Sequence, residues 1–382
     1  MLDRRAFLKA ASLGSVSAVC AGAVAAGPGA PQEASWRREW DDVVAAATAE
    51  GRLSLVTWAN SWGGPGYAGF GGTIKRFEQT FPGVVVDPWL KESSASAWLA
   101  RAREARRTGT PQFDLALVQT DAALKQGKPE GLWAPIRPLL FRPDVLDDAA
   151  WHGGFGARFL DASGVLSFGW EHQVLHAYAV HTDLVQNGEI ASVEDLLAPG
   201  WTGKVVSTDP RVGIGLSSAA SVAASRGAEA VKGLLVDQRP TFSVGGRHLA
   251  KSFLSGRYPV VLGLRPKALD PFAGHESVDK LRYLDLPDAD FAATASILYF
   301  DRAPHPAAAR LFANWVLTQE GQATLTGSLP TNSARTDVTP SVAVGVGTAP
   351  TYYEPERETN YAPLAETQRF VRGLLGAARL EG

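Results

Sequence analysis

The sequence predicts an α/β protein with two lobes, each built on a doubly wound and mainly parallel sheet. Strand-like and helix-like segments alternate over residues 36–133, and a second alternating series runs over residues 164–264. Such alternation is typical of parallel sheets that carry helices on both faces. The size agrees, because 382 residues exceed the usual size of a single hydrophobic core. The composition, 45% hydrophobic and 20% charged, is that of a soluble globular protein.

The first 26 residues predict an export signal that is removed from the mature protein. They have a charged start, a moderately apolar middle and an Ala-x-Ala ending at residues 23–25. Arg4 and Arg5, followed by Phe7, resemble a twin-arginine signal, which serves proteins that cross the membrane already folded. An ordinary signal with two adjacent arginines is the alternative. Either interpretation predicts a periplasmic protein.

Cysteine content and charge exclude several classes of function. Cys20 is the only cysteine and lies within the signal, so the mature chain has no disulfide and no thiolate site. Lipid attachment at Cys20 is left open. Cleavage of the signal removes three basic residues, Arg4, Arg5 and Lys9, and one acidic residue, Asp3. The formal net charge therefore changes from −2 to −4. A mildly acidic chain with scattered charge does not suit nucleic acid, and no later apolar run is long enough to span a bilayer.

Local patterns predict each element of the first series. Trp36, Trp40 and Val43 fall at helical spacing, and Gly51 ends that helix. Thr73 is a candidate cap for the next helix. The predicted order is helix 36–51, strand 52–59, helix 73–81, strand 84–90, helix 96–109, strand 113–119 and a short helix within 120–133.

The second series begins with a β-rich segment that is expected to cross between the lobes. The predicted order is the crossing at 164–185, a helix near 192–197, a strand within 201–210, a helix at 217–235, a strand within 242–246, a helix at 247–256 and a strand at 258–264. A strand pair within 281–300 is expected to return to the first lobe. Helical segments at 305–327 and about 363–378 flank a wrapping arm at 336–362 that is rich in Pro, Thr, Gly and Tyr.

Several phrases in a fixed order give the chain a resemblance to a known family. They are FEQTFPGVVVD (77–87), FDLALVQTDAALKQGKPEGLWAPI (113–136), SVEDLLAPGWTGKVVSTDPR (192–211), HPAAARLFANWVLTQEGQATLTG (305–327) and LPTNSA (329–334). The series resembles the extracellular solute-binding proteins of ABC importers, a class that includes iron(III), thiamine, phosphonate and polyamine binders. The resemblance covers about residues 50–335 and depends on the order of the phrases more than on any one of them.

The resemblance implies the type II periplasmic binding protein fold, with two α/β lobes joined by a hinge and a ligand cleft between them. We expect residues 36–168 together with 284–382 to form lobe 1, and residues 169–283 to form lobe 2. Independently, ligands of open α/β sheets lie beyond the carboxyl ends of the strands, and clefts between domains are favoured pockets. The implied partners are a small solute and the permease and ATPase subunits of an importer. The protein is expected to be a monomer without a cofactor.

The first candidate binding loop follows the first predicted strand. It contains Trp58, Asn60, Ser61, Trp62 and Gly63. Indole faces suit stacking or cation–π contact, and glycine permits close backbone approach. The SWGG phrase also resembles the corresponding loop of polyamine-type binders, whereas packing of the tryptophans within the lobe is the alternative.

Polar residues after three later strands are further candidates. Thr120 and Asp121 follow the third strand, where a helix N-cap is the alternative. Asp209 and Arg211 precede a small-residue helix whose N-terminus suits an anion; an Asp-Pro turn with a solvated arginine is the alternative. Arg265 stands where the resemblance would place the adjacent tyrosines of iron(III) binders, so an iron site of that type is not expected. Arg265 instead suggests an anionic group on the ligand, with a solvated loop as the alternative.

The crossing segment supplies the last candidates. Trp170, His172, His176 and Tyr178 alternate on one face of a strand, and Trp170 and Tyr178 are predicted to contact the ligand. Histidines without a clear carboxylate partner usually pack, so no metal site is predicted here. The pair Tyr352–Tyr353 lies in the arm and is interpreted as structural.

These patterns predict a non-enzymatic protein that captures a small solute for a membrane permease. The tryptophan loop suits a cation or a ring, whereas Arg211 and Arg265 suit an anion, so the candidate ligands are a polyamine, an aminophosphonate or another small charged solute. An exported α/β hydrolase or transferase that uses the same cleft is the alternative. The chain has no Gly-x-Ser-x-Gly, His-Glu-x-x-His or P-loop motif, which favours binding over catalysis.

Overall fold

A computed structural model describes residues 30–57, 69–89, 95–243, 245–343 and 345–376. The predicted export signal and the candidate loop at 58–63 lie outside these residues. Within the described part of the chain, none of the helices combines the length and apolar character that a membrane span needs.

Apart from the short α5, which was not predicted, the helices occupy predicted segments with ends that differ by several residues, and the predicted helices at 217–235 and 305–327 are each divided in two. They are α1 (Ala30–Glu50), α2 (Phe70–Thr80), α3 (Ala95–Thr108), α4 (Thr120–Ala122), α5 (Pro143–Leu146), α6 (Val193–Leu196), α7 (Gly213–Arg226), α8 (Ala228–Lys232), α9 (Gly246–Leu254), α10 (Pro306–Val316), α11 (Gln319–Gly327) and α12 (Tyr361–Leu375). Thr73 does not cap α2, because that helix starts earlier, after Gly69, and Thr73 is buried inside it.

The strands form two main sheets and a small one. They are β1 (Arg52–Thr57), β2 (Val85–Trp89), β3 (Leu115–Gln119), β4 (Trp133–Ala134), β5 (Ser167–Gly169), β6 (Gln173–Leu175), β7 (Tyr178–His181), β8 (Val205–Thr208), β9 (Thr241–Ser243), β10 (Val260–Leu262), β11 (Leu281–Tyr283), β12 (Phe291–Ala293) and β13 (Ala295–Phe300). The first sheet has the order β2-β1-β3-β13-β4, with β5 also paired to β13. The second has the order β11-β7-β10-β8-β9.

Each main sheet combines parallel strands with antiparallel ones that connect the lobes. β1 lies parallel to β2 and β3, and β8 lies parallel to β9 and β10. The connecting strands β13 and β7 run antiparallel to β3 and β10. The prediction of a two-sheet α/β fold is therefore confirmed, and β13 is the predicted return strand to the first sheet.

Separate hydrophobic clusters hold the helices on the two sheets. On the first sheet, Phe77 of α2 packs against Phe312 of α10 with ring centroids 4.9 Å apart, and both side chains are buried. On the second sheet, Phe253 of α9 is fully buried beside β8 and β10. Burial of apolar surface on both faces of each sheet is the main stabilising contribution in such folds.

Helix α12 departs from the expected assignment to lobe 1, and the arm before it borders the small β6–β12 sheet. The arm carbonyls of Gly345 and Tyr353 accept hydrogen bonds from the backbone N–H groups of Val174 in β6 and Ala292 in β12. The arm thus flanks both edges of the small β6–β12 sheet. Helix α12 packs against α7, and its Val371 belongs to the core of the second sheet. The sequence predicted a helix at about 363–378 and assigned it to lobe 1, whereas the structure packs it against the second sheet.

Candidate functional site

The carboxyl ends of the parallel strands in both sheets lie at the junction between the lobes. β3 ends at Gln119, which pairs with Ala295, the first residue of β13. β10 ends at Leu262, which pairs with Tyr178, the first residue of β7. Because β6 joins β5 to β7 and β12 joins β11 to β13, the crossing segments connect these two edges. Open α/β sheets bind ligands at such edges, and we call this region the interlobe junction.

Thr120 and Asp121 lie at the first-sheet edge of this junction. The Thr120 side chain is buried, and its Oγ1 donates to the Thr294 carbonyl at 3.2 Å and lies 2.7 Å from Ser296 Oγ. Its hydroxyl therefore fixes the start of β13, and it does not cap α4, whose N-cap is Gln119. The Asp121 carboxylate is half-exposed and lies 3.4 Å from Lys125 Nζ, so Asp121 is the more available of the two groups.

Two residues of the arm and α12 complete this edge, and sequence reasoning missed both. Glu356 accepts hydrogen bonds from Thr294 N at 2.6 Å and Thr294 Oγ1 at 2.8 Å. Burial raises the pKa of Glu356 to about 7, and the negative charge of Asp121 adds to the effect. The Tyr361 hydroxyl is buried without a hydrogen-bond partner, and Lys125 Nζ lies 4.7 Å from the centroid of its ring. No periodic or motif signal in the arm pointed to these residues.

A third carboxyl group lies deeper at the junction. Glu171 follows β5 and is only 2% exposed. Burial raises the pKa of Glu171 to about 8, although the hydrogen bond that Thr331 donates lowers it; the charge of Glu356 raises it further. The lobe 1 side of the junction therefore holds two carboxyl groups, Glu171 and Glu356, whose pKa values are raised by burial.

The second-sheet edge carries the predicted Asp209 and Arg211, which bind each other. Asp209 Oδ1 accepts from Arg211 N at 2.9 Å and from Arg211 Nε at 2.8 Å. Burial raises the pKa of Asp209, but the hydrogen bonds from Arg211 outweigh it and hold that pKa below its usual value. Gln368 of α12 also donates to the Arg211 carbonyl. The arrangement matches the alternative of an Asp-Pro turn. The Arg211 guanidinium, which was expected to bind an anion on the ligand, is paired with Asp209 instead.

Arg265 is the more accessible cation at the second-sheet edge. It follows β10 and is exposed. Across the described residues, Arg265 has no carboxylate within salt-bridge distance. Its guanidinium is therefore available to an anionic group in the junction.

Trp170 and Tyr178 are core residues in this conformation. Trp170 is 0% exposed in the first-sheet cluster, and its indole Nε1 has no hydrogen-bond partner. Tyr178 is 3% exposed in the second-sheet cluster. Both rings alternate toward the lobe interiors, so the structure gives them a packing role in place of the expected ligand contact.

His176 has the carboxylate partners that the sequence did not reveal. Its Nδ1 lies 2.8 Å from Asp290 Oδ2 and 3.9 Å from Asp285 Oδ1. Burial lowers the pKa of His176, but the hydrogen bond to Asp290 outweighs it and the pKa is raised overall. One ligand atom from each residue lies within 4.8 Å of the others, yet Asp290 also accepts from Ala177 N and Asp285 from the Tyr352 hydroxyl. These hydrogen bonds tie the crossing segments and the arm together, which explains the cluster without a metal.

Comparisons with known proteins agree with this architecture. A family model described as bacterial extracellular solute-binding protein matches residues 73–328, more than half of the chain. No curated protein matches the sequence. The Mannheimia haemolytica ferric iron-binding protein A in an open conformation is 15% identical, with a TM-score of 0.63 over 85% of this chain and 98% of its own.

Two further solved structures show the same fold. The Bordetella ferric binding protein is 16% identical, with a TM-score of 0.61 over 85% of this chain and 98% of its own. A Trichodesmium protein (IdiA, FutA) in complex with iron and citrate ligands is 15% identical, with a TM-score of 0.59 over 85% of this chain and 99% of its own. These two-lobed structures confirm the type II periplasmic binding protein fold.

The chain belongs to the bacterial extracellular solute-binding proteins. Its function within that family is that of a substrate-binding component of an ABC importer. Members of this family bind solutes, which agrees with the preference for binding over catalysis.

Proposed function

We propose that this protein is exported to the periplasm, captures a small amine-bearing solute at the interlobe junction and delivers it to a permease without catalysing a reaction. The choice of an amine as the ligand depends on one observation. The Glu356 carboxyl group lies beside Asp121, and its pKa is raised to about 7. A buried or half-buried carboxylate is stabilised by a cation that replaces its lost hydration. An ammonium group between Glu356 and Asp121 supplies that charge.

The proposed site includes groups from both lobes. Tyr361 offers a hydroxyl without a partner near these carboxylates, and Arg265 offers a guanidinium from the other lobe. The loop residues Trp58 and Trp62 remain proposed members, because indole faces attract organic cations. Their loop neighbours remain proposed members as well: Asn60, Ser61 and Gly63. An aminophosphonate would use both the carboxylates and Arg265, whereas a polyamine would use the carboxylates alone.

Ferric iron is named for the structural neighbours, but the residues of this chain favour an organic amine. Leu264 and Arg265 stand where the resemblance to iron(III) binders would place adjacent tyrosines. Tyr352 of the arm donates its hydroxyl to Asp285 at 2.8 Å and is engaged in the hinge. Ferric citrate is therefore included as a probe that distinguishes an iron-binding protein from one that binds an organic amine, and it is not the proposed ligand.

Thermal unfolding of the mature chain with a panel of solutes tests the proposal. The panel contains spermidine, 2-aminoethylphosphonate, ethylphosphonate and ferric citrate. A ligand at one hundred times its Kd adds about 2.7 kcal/mol of stability, which raises the Tm of a chain of this size by about 3–4 °C. Spermidine or 2-aminoethylphosphonate should give this shift, and ethylphosphonate, which lacks the amine, should not.

Variants separate the site from the fold. Glu356→Gln should weaken amine binding at least tenfold, since a charge-assisted hydrogen bond is worth about 1.5–3 kcal/mol. Glu366→Gln on the exposed face of α12 is the matched control and should bind as the wild type does. Equal Tm shifts with ethylphosphonate and 2-aminoethylphosphonate would refute the proposal that the ligand is recognised through its amine. No shift with any solute, together with turnover of an ester or phosphate substrate, would refute the binding function itself.

Export and oligomeric state are tested separately. Cell fractionation of the full chain should recover the mature form in the periplasm, and replacing Arg4 and Arg5 by lysine should keep it in the cytoplasm if the signal is of the twin-arginine type. Export of the double variant would instead indicate an ordinary signal. Size-exclusion chromatography with light scattering should give a monomer.

A further inference from the structure

The ammonium group of Lys125 lies at the interlobe junction, beside the groups that the proposed amine would use. Lys125 Nζ is 3.4 Å from Asp121 Oδ2 and 4.7 Å from the centroid of the Tyr361 ring. The structure therefore already holds a primary ammonium between a carboxylate and an aromatic face. Carboxylates and aromatic faces are the groups that bind organic ammonium ions in proteins.

The Glu356 carboxyl group belongs to the same set of charges. Burial raises the pKa of the Tyr361 hydroxyl, and the negative charges of Asp121 and Glu356 raise it further. Both carboxyl groups are therefore close enough to this ring to interact with it. Two ammonium groups at one such position repel each other, so a solute amine and Lys125 would compete for these carboxyl groups.

Lys125 is held by contacts that break at little cost. The side chains of Lys125 and Asp121 are 45% and 46% exposed. Exposed ion pairs add little stability, and exposed cation–π contacts are of similar strength. Lys128 differs, because it donates to both carboxylate oxygens of Glu358 at 2.6 Å and 2.7 Å in a partly buried pair. Lys128 thus fixes the start of α12 on lobe 1, whereas Lys125 can leave its position without loss of a core contact.

The backbone that carries Lys125 is π-helical. Residues Ala123–Gly127 form this turn, in which Lys128 N donates to the Ala123 carbonyl at 3.0 Å. Single π-helical turns are rare and occur frequently at functional sites. The place of Lys125 in the middle of this turn is an observation that does not depend on its side-chain contacts.

We propose that Lys125 is an internal competitor of the solute, whose amine must displace the Lys125 ammonium from Asp121 and the Tyr361 ring. This inference rests on the proposed function, because it assigns Lys125 a role in the same site. Two weak contacts leave the position open for about a fifth of the time, and apparent affinity falls with the fraction of protein that is competent to bind. Lys125 therefore weakens amine binding about fivefold. A neutral solute cannot replace the broken ion pair, so Lys125 also selects for cationic ligands.

Titration calorimetry of the mature chain with spermidine and with 2-aminoethylphosphonate tests the proposal. Lys125→Met keeps a long side chain but removes the ammonium, so it should bind each amine about fivefold more tightly than the wild type does. Lys125→Arg keeps a cation that can make both contacts and should bind no more tightly than the wild type. Lys75→Met, at an exposed lysine of α2, is the control and should leave both affinities unchanged.

NMR of lysine-labelled protein follows the displacement itself. Protons above the face of an aromatic ring are shifted upfield, so the Lys125 Hε resonances should show this shift in the wild type and lose it in Tyr361→Leu. Saturation with spermidine should remove the same shift from the wild type. A general effect of the Lys125 charge on binding would leave these resonances in place.

The outcomes separate this inference from the proposed function. If an amine binds to the wild type, and binds equally or more weakly to Lys125→Met, the competitor role is wrong and the binding function stands. Lys125 resonances without the upfield shift in the free protein, or with the shift retained at saturation, would overturn the competitor role as well. If neither amine binds to the wild type or to Lys125→Met, the proposed function fails and this inference fails with it.

Discussion

Replacing Glu171 with glutamine should remove a large pH dependence from the stability of this protein. The side chain is 2% exposed, and Thr331 donates a hydrogen bond to it. Burial raises the pKa of Glu171 from 4.5 to about 8, with a further contribution from the charge of Glu356. Between pH 4.5 and about pH 8 the Glu171 carboxyl group keeps its proton in the folded protein and loses it in the unfolded chain.

The direction and size of this change in the free energy of unfolding with pH follow from proton linkage. Because the folded pKa lies above the unfolded one, the stabilising contribution of Glu171 is complete below pH 4.5 and is lost as the pH rises toward 8. Each pH unit in that window lowers the free energy of unfolding by about 1.4 kcal/mol. At pH 8, where the folded Glu171 carboxyl group is half ionised, the loss amounts to about 4 kcal/mol, which corresponds to about 5 °C in Tm for a chain of this length.

Urea unfolding of Glu171→Gln and wild type, at about pH 5 and about pH 8, measures this effect. Near pH 5 the two should be about equally stable, since the amide resembles a neutral carboxyl group and its oxygen can accept the hydrogen bond from Thr331. Near pH 8 the variant should be more stable by about 4 kcal/mol. The matched control Glu276→Gln replaces an exposed glutamate and should follow the wild type. Parallel stability curves for Glu171→Gln and wild type would refute the reasoning.

Three further variants test the fold and the arm. Phe312→Ala should cost about 3–5 kcal/mol in urea unfolding, because it empties the core under α10. Gly263→Ala should lower Tm, since Gly263 has φ +84° and a Cβ there would lie 2.5 Å from Thr208 Cγ2; unchanged Tm would contradict the backbone geometry. Glu358→Gln should weaken the bond from Lys128, which donates at 2.6 Å and 2.7 Å, and hydrogen exchange of the arm should then rise while that of the core stays the same.

Periodicity and the order of family phrases were sufficient to predict the fold and the family. The alternation of apolar residues in LSLVT, and the helical spacing of apolar residues in 306–316, each depend on local burial. Such patterns show that a face is buried but not what buries it. For that reason α12 was assigned to the wrong lobe, since its contacts with α7 join segments about 150 residues apart along the chain.

The candidate site was less predictable, because it depends on contacts between distant segments. The strand-end rule predicted Asp121 as a site residue, and the structure places Asp121 directly after β3 at the interlobe junction. Glu356 was missed, since only the fold brings it to within hydrogen-bonding distance of Thr294, 62 positions away. Trp170 and Tyr178 show the converse error, because strand alternation cannot distinguish a face that lines a cleft from one that packs in a core. The loop at 58–63 stays a prediction.

The position of the arm links the proposed binding site to the motion of the lobes. Arg158 of lobe 1 binds Glu354 of the arm, and Arg357 of the arm donates to the Phe159 and Ala157 carbonyls of lobe 1, so the arm is held on lobe 1 on both sides of Glu356. α12 then begins at Tyr361, beside Lys125 of lobe 1, and ends in the core of lobe 2. Hinge closure in two-lobed proteins is absorbed by a few residues at element ends, and we expect residues 358–361, where the arm meets α12, to be among them. An amine held by Glu356 would therefore sit beside the segment whose geometry must change when the lobes close, so ligand capture and closure would act on the same few bonds.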